Sequence, residues 1–106
     1  RLKKTYTIFY FDEVENDVDE AKAWYKSKQN GLEKRFAKAI KLAIVNLQKT
    51  PTAYSVRYKN VRIAYPAVFP YAVHFYIDEQ QNMIVITAII FAGRDPDFAK
   101  NRISNI

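Results

Sequence analysis

Arg57, Lys59 and Arg62 fall close together in the chain, and Arg94 follows its longest apolar run. Cations in that pattern suit one kind of work, which is holding phosphate oxygens or acidic side chains; a guanidinium offers paired N–H donors for either. These four bases are the candidate site, provided that the strands carrying them turn them toward a common sheet face. For Arg62 a structural ion pair with Asp95 or Asp78 is the competing reading. The sequence holds a single histidine, His74, set mid-strand between Val73 and Phe75. A hydrogen-bonded structural role is expected for it ahead of that of a general base. Tyr54, Tyr58 and Tyr65 are the remaining polar side chains placed to lie near the bases.

Other chemistries find little support. Cysteine is absent, which removes disulfides, thiolate chemistry and Cys-built zinc sites. One histidine cannot make a His-rich metal site. Glu13, Glu15, Asp17 and Asp19 crowd one stretch, but a helix start explains them, so no metal is expected there. Gly93 alone forms no phosphate loop, and neither a GxGxxG nor a P-loop pattern occurs. Ser27, Ser55 and Ser104 have no context that would pair them with His74 in a triad. No cofactor is implied.

The elements that must position the bases can be read from period and punctuation. A chain of 106 residues is one domain, 1–106. Aromatics at 15% and hydrophobics at 49% exclude disorder. No apolar run is long enough to span a membrane, and the start of the chain has no signal-peptide pattern. The expectation is a small, soluble, basic protein of the cytoplasm.

Residues 5–11 read as a strand. Asp12 and Glu15 have capping-box spacing and open a helix whose apolar face is Val14, Val18, Ala21 and Tyr25. Asn30-Gly31 ends it with a left-handed glycine. A second helix, Leu32 to Gln48, carries the stripe Leu32, Phe36, Ile40, Ala43 and Leu47, and the short link makes an antiparallel helical hairpin. Beyond Pro51 the period becomes two, with strands at 54–58, 61–65, 71–77 and 84–91 and a hairpin loop at 78–82. The strand 84–91 is apolar on both parities and should be central. Residues 95–103 form either a helical turn or an extended tail. The fold class is α+β: an N-terminal strand, a helical hairpin, then a three- to four-stranded antiparallel meander in one sheet. Two helices cover one face of it. The other face needs the C-terminal tail, a second copy or a partner chain.

The net charge is +6, with pI near 9.6, and it is unevenly spread. Between Ala21 and Arg62 eleven bases face one acid, Glu33. Most of the helical lysines read as a solvated face. Arg57, Lys59 and Arg62 lie in the strand region and are less easily assigned that way.

Tyr25, Gly31-Leu32-Glu33-Lys34-Arg35-Phe36, Pro51, Val61-Arg62, Phe69-Pro70-Tyr71 with Tyr76, and Arg94-Asp95-Pro96 together resemble the RelE/ParE toxins of type II toxin–antitoxin modules, the plasmid-stabilisation type. The resemblance covers nearly the whole chain in order. It implies the fold just read and a toxin that arrests growth. A cognate antitoxin neutralises it by folding across it, in a complex that can be a heterotetramer. Some relatives poison DNA gyrase; others are ribosome-dependent mRNA endonucleases, in which Lys and Arg hold the scissile phosphate. The matching bases here are Arg57, Lys59, Arg62 and Arg94. Many relatives carry a His three residues before the Arg of the Arg-Asp-Pro motif, where this chain has Phe91, and no Tyr follows Arg94. A toxin that acts by binding a target such as gyrase is therefore placed first. The mRNA endonuclease, and a non-toxic member of the group, are the alternatives.

Overall fold

The apolar run near the C-terminus becomes the strand on which the rest is assembled. The computed structural model describes residues 5–103. In chain order they form β1 (Thr7–Tyr10), α1 (Glu13–Lys28), α2 (Leu32–Lys49), a 3-10 turn (Pro51–Ala53), β2 (Val56–Tyr58), β3 (Val61–Ala64), β4 (Tyr71–Asp78), β5 (Met83–Phe91) and α3 (Pro96–Arg102). The sheet order is β1-β5-β4-β3-β2. β2 to β5 make an antiparallel meander, and β1 lies parallel to β5 with Ile8 opposite Ile84. The expected α+β architecture is the one found.

Helix α2 buries Phe36, Ile40, Ala43 and Leu47, the predicted stripe; Leu32 is only partly covered. Phe36 lies 5.2 Å from Tyr25 in a stacked pair and 4.9 Å from Tyr71 edge-on. Phe69 closes this aromatic group. Such contacts add about 0.5–1.5 kcal/mol per pair beyond area burial. The two helices and one sheet face thus share a single core with Val73, Phe75, Ile84, Ile86 and Ile89.

Two local expectations need correction. Asp12 does not cap α1 through its side chain, because its own backbone is already helical (φ −59°, ψ −33°). The chain turns straight off β1, and the Phe11 carbonyl accepts from Val14 N–H instead. Gly31 is left-handed as expected (φ 95°), but it opens α2 rather than closing α1, whose C-cap is the extended Gln29. The Gly31 N–H donates to the Glu33 carboxylate at 3.0 Å.

β5 carries a bulge that explains its doubly apolar sequence. Phe75 faces Ile86 and His74 faces Ala88, so Thr87 is an extra residue on β5. Before the bulge Ile84 and Ile86 point to the helical hairpin; after it Ile89 does. Ala88 and Ile90 then turn to the opposite face, where they meet Ala99 of α3 together with Tyr58 and Phe98. Of the covers left open for that face, the C-terminal segment supplies one, as a helix. Elsewhere Val68, 87% exposed, sits at φ 75° in a γ-turn closed by Phe69 N–H to Ala67 O at 2.8 Å. That conformation is strained for a β-branched residue.

Candidate functional site: a cationic groove beside α3

Two groups of charges flank the bulged half of β5, and the chain holds them differently. The first lies along the free edge. β1 runs out after Tyr10, so among the described residues β5 from Thr87 onward has no strand on that side. Asp17 and Arg102 take the place of one. The Asp17 carboxylate accepts from Ile89 N–H at 3.0 Å, and the Arg102 guanidinium donates to Thr87 O at 3.1 Å. The two side chains join in a bidentate pair, both contacts 2.7 Å. Asp17 stands in phase with Val14 and Ala21 on the buried face of α1, not on its solvent side. The carboxylate beside it raises the Arg102 pKa further. Backbone groups that would otherwise be buried unpaired are satisfied, and α3 is tied to α1. Sequence reasoning assigned Asp17 to the helix start; an acid in phase with the apolar stripe was the missed signal.

The second group lines a groove of about 290 Å³ where β2, β3, β4 and β5 meet the start of α3. Arg57, Arg94 and Lys100 line it with Tyr58, Tyr65 and His74. Arg57 donates to the Tyr65 hydroxyl at 3.4 Å. The Arg94 guanidinium lies 3.6 Å above the Phe98 ring, which holds it without neutralising it. Phe91, half exposed, closes one wall where resemblance led one to look for a histidine. Asp95 is the acid of this lining, and its carboxylate already accepts from Asp97 N–H at the start of α3.

Of the four bases singled out from sequence, the structure brings Arg57 and Arg94 into this groove. Arg62 pairs across the sheet with Phe75, so it points to the helical side. There it donates to the carbonyls of Thr52 and Tyr54, bracing the 3-10 turn. It pairs with neither suggested acid: Asp95 is engaged on α3, and Asp78 accepts from Gln81. Lys59, at φ 49°, sits exposed in the two-residue turn between β2 and β3. The physical reason is parity, since neighbours on a strand face opposite ways. Lys100 joins the groove from α3, a placement that no short-range pattern announces.

His74 forms the floor. It is 8% exposed, and its Nδ1 lies 2.8 Å from the Tyr58 hydroxyl. Burial lowers its pKa to about 4, helped by the charges of Arg102 and Arg57. Burial likewise pushes the Tyr58 phenol up to about 12. His74 is therefore a neutral, hydrogen-bonded imidazole near pH 7, in line with the structural role expected. Among the described residues no cluster of His, Asp or Glu is arranged to hold a metal. No helix among them is long and apolar enough to cross a membrane.

No protein-family model matches the chain, and no curated protein matches it in sequence. Solved structures do match in shape. A chain of the chromosomal ParDE TA system from P. aeruginosa superposes with a TM-score of 0.71 at 15% identity, covering 83% of this chain and 97% of that one. A chain of the toxin–antitoxin complex RelBE2 from Mycobacterium tuberculosis gives 0.59 at 14% identity, covering 82% and 98%. At such identity the likeness is one of backbone path, and it includes almost all of both neighbours. The strand, helical hairpin and meander described above are thus the RelE/ParE fold.

Proposed function

We propose that the protein is the toxin of a toxin–antitoxin module, that a cognate antitoxin neutralises it, and that it acts by gripping a target such as DNA gyrase. The observation that carries this reading is the match of fold over nearly the full length of chains from two toxin–antitoxin complexes. The groove supports a binding mode over a cleaving one. A general acid or base works best with a pKa near the operating pH. His74 at about 4 and Tyr58 at about 12 are both displaced from it, in opposite directions. Exposed cations on an otherwise basic chain suit an acidic partner surface.

One observation favours the second reading, a ribosome-dependent mRNA endonuclease: Arg57 and Arg94 share one groove, as residues that clamp a phosphate would. Inducible expression separates the readings through three measurements, namely growth, transcript integrity and plasmid supercoiling. Growth arrest with intact transcripts and altered supercoiling is expected. Codon-position cleavage of translated transcripts, abolished by Arg94→Ala, would replace the binding mode with the nuclease. Undisturbed growth at full expression of folded protein would overturn both.

A further inference from the structure

We propose that the end of the β5 edge, with Glu20, Trp24 and Arg94 around it, is a binding site for a free α-amino acid with an apolar side chain. The site is a second cavity, between α1 and the last residues of β5, and it stands apart from whether the chain arrests growth.

Backbone groups left over at the edge lead to it. The Ala92 N–H donates to Pro70 O at 2.9 Å, so Ala92 faces β4 and, by alternation, Ile89 and Phe91 face the free edge. Most of that row is already spent. Arg102 takes Thr87 O, Asp17 takes the Ile89 N–H, and the Arg94 N–H closes a turn on Phe91 O at 3.0 Å. Ile89 O and the Phe91 N–H remain, without a protein partner among the described residues. In a parallel ladder a single guest residue meets such a pair, donating its N–H to the first and accepting at its carbonyl from the second. β1 is parallel to β5, so the guest continues its row. There is length for one residue only. The Asp17–Arg102 pair closes the row behind it, and the turn to Arg94 closes it ahead.

The surrounding charges define the ligand. The cavity beside the pair holds about 360 Å³, within the size range of small-molecule sites. Glu20, one turn past Asp17 on α1, brings negative charge toward the Ile89 end, while Arg94, three residues past Phe91, brings positive charge to the other. Burial and the neighbouring Tyr25 raise the Tyr71 pKa; Arg94 opposes that rise and Glu20 adds to it, so both charges bear on one phenol of the cavity wall. A zwitterion fits this polarity. Its ammonium donates to Ile89 O beside Glu20, and its carboxylate accepts from the Phe91 N–H beside Arg94. Trp24, Tyr25, Tyr71 and Phe91 make the walls aromatic, which suits an apolar side chain. Trp24 is 54% exposed, an aromatic area that the ligand covers.

The test uses the full chain, and neither of its readouts depends on growth. Trp24 is the single tryptophan of the sequence, so its emission reports on the cavity directly. L-Phenylalanine should change that emission saturably and shift the Phe91 amide signal in 1H–15N spectra. L-Phenylalanine amide and N-acetyl-L-phenylalanine each lack one of the two charges, and each should bind roughly tenfold more weakly, the equivalent of one charge-assisted hydrogen bond. Glu20→Gln should weaken L-phenylalanine but not the N-acetyl compound, and Arg94→Gln should weaken L-phenylalanine but not the amide; circular dichroism checks that each variant is folded. N-acetyl-L-phenylalanine binding as tightly as L-phenylalanine would overturn the free amino acid in favour of a peptide end. Trp24 emission and a Phe91 amide both indifferent to L-phenylalanine through the millimolar range overturn the site.

Discussion

Asp17–Arg102 and the Arg57–Arg94–Lys100 groove lie on either side of the same stretch of β5, yet their charges do opposite things. The first pair is nearly sealed from water, at 6% and 11% side-chain exposure, and every close contact it makes is spent inside the fold. The second set is exposed, and its contacts are to rings and hydroxyls instead of carboxylates. Charge inside a pair with satisfied backbone neighbours holds structure together. Charge left without a counterion at a concave surface is available to something else. The contrast also explains how a chain with so small a core attaches a seven-residue helix: α3 is fastened by Ala99, Ile103 and one ion pair, not by a long apolar face.

Breaking the sealed side should have the largest effect. Arg102→Ala leaves Asp17 buried without its partner and Thr87 O without a donor, a change expected to cost about 3–5 kcal/mol in urea unfolding. Replacing both partners together, as Asp17→Leu with Arg102→Met, removes the unpaired charge but leaves Ile89 N–H and Thr87 O without their partners, so it should recover only part of that loss. If Arg102→Ala cost no more than Arg57→Ala, the distinction between the two regions would collapse.

Next comes acid. The folded pKa of His74, about 4, lies below the ordinary value of 6.5, so the unfolded chain takes up the proton first as pH falls. Its contribution to stability is fully present above about pH 6.5 and drains away toward pH 4. The full effect is up to about 3 kcal/mol. Stability measured between pH 7 and 4.5 should fall in the parent protein and fall less in His74→Gln. Equal slopes would place the acid sensitivity elsewhere.

On the open side the expected costs shrink. Arg94→Ala forfeits the stacking on Phe98, about 0.5–1 kcal/mol. Arg57→Ala should change stability by less than about 0.5 kcal/mol. On the proposed toxin reading, both should nevertheless remove most of the growth arrest, measured by induced expression at matched protein levels. A variant that folds normally and still arrests growth would move the working surface away from the groove.

Periodicity and punctuation made most of the elements legible. Apolar residues repeating every three or four positions named both helices of the hairpin, and the burial of Phe36, Ile40 and Leu47 follows that stripe. Strand boundaries came out within a few residues, because β-branched and aromatic runs end at Asn, Asp, Gly and Pro. Residues 95–103 were ambiguous, since a short helix with Pro at its start has little period to show. The site was read less well. Four bases were grouped by nearness in sequence, and strand parity sent Arg62 to the helical side while the hairpin turn took Lys59.

The amino-acid sequence by itself determined the class of fold, the order of its elements, the unequal spread of positive charge and the absence of thiol chemistry. These depend on local spacing and on composition, which a linear string contains. Only the tertiary structure decided that Asp17 closes a sheet edge with a partner 85 positions away, and that one bulge at Thr87 turns Ala88 and Ile90 toward α3. It alone decided which arginines are without a counterion among the described residues. Pairing and burial are relations between residues far apart along the chain, and an arginine's neighbours in space, not in sequence, settle whether its charge is spent within the fold or offered at the surface.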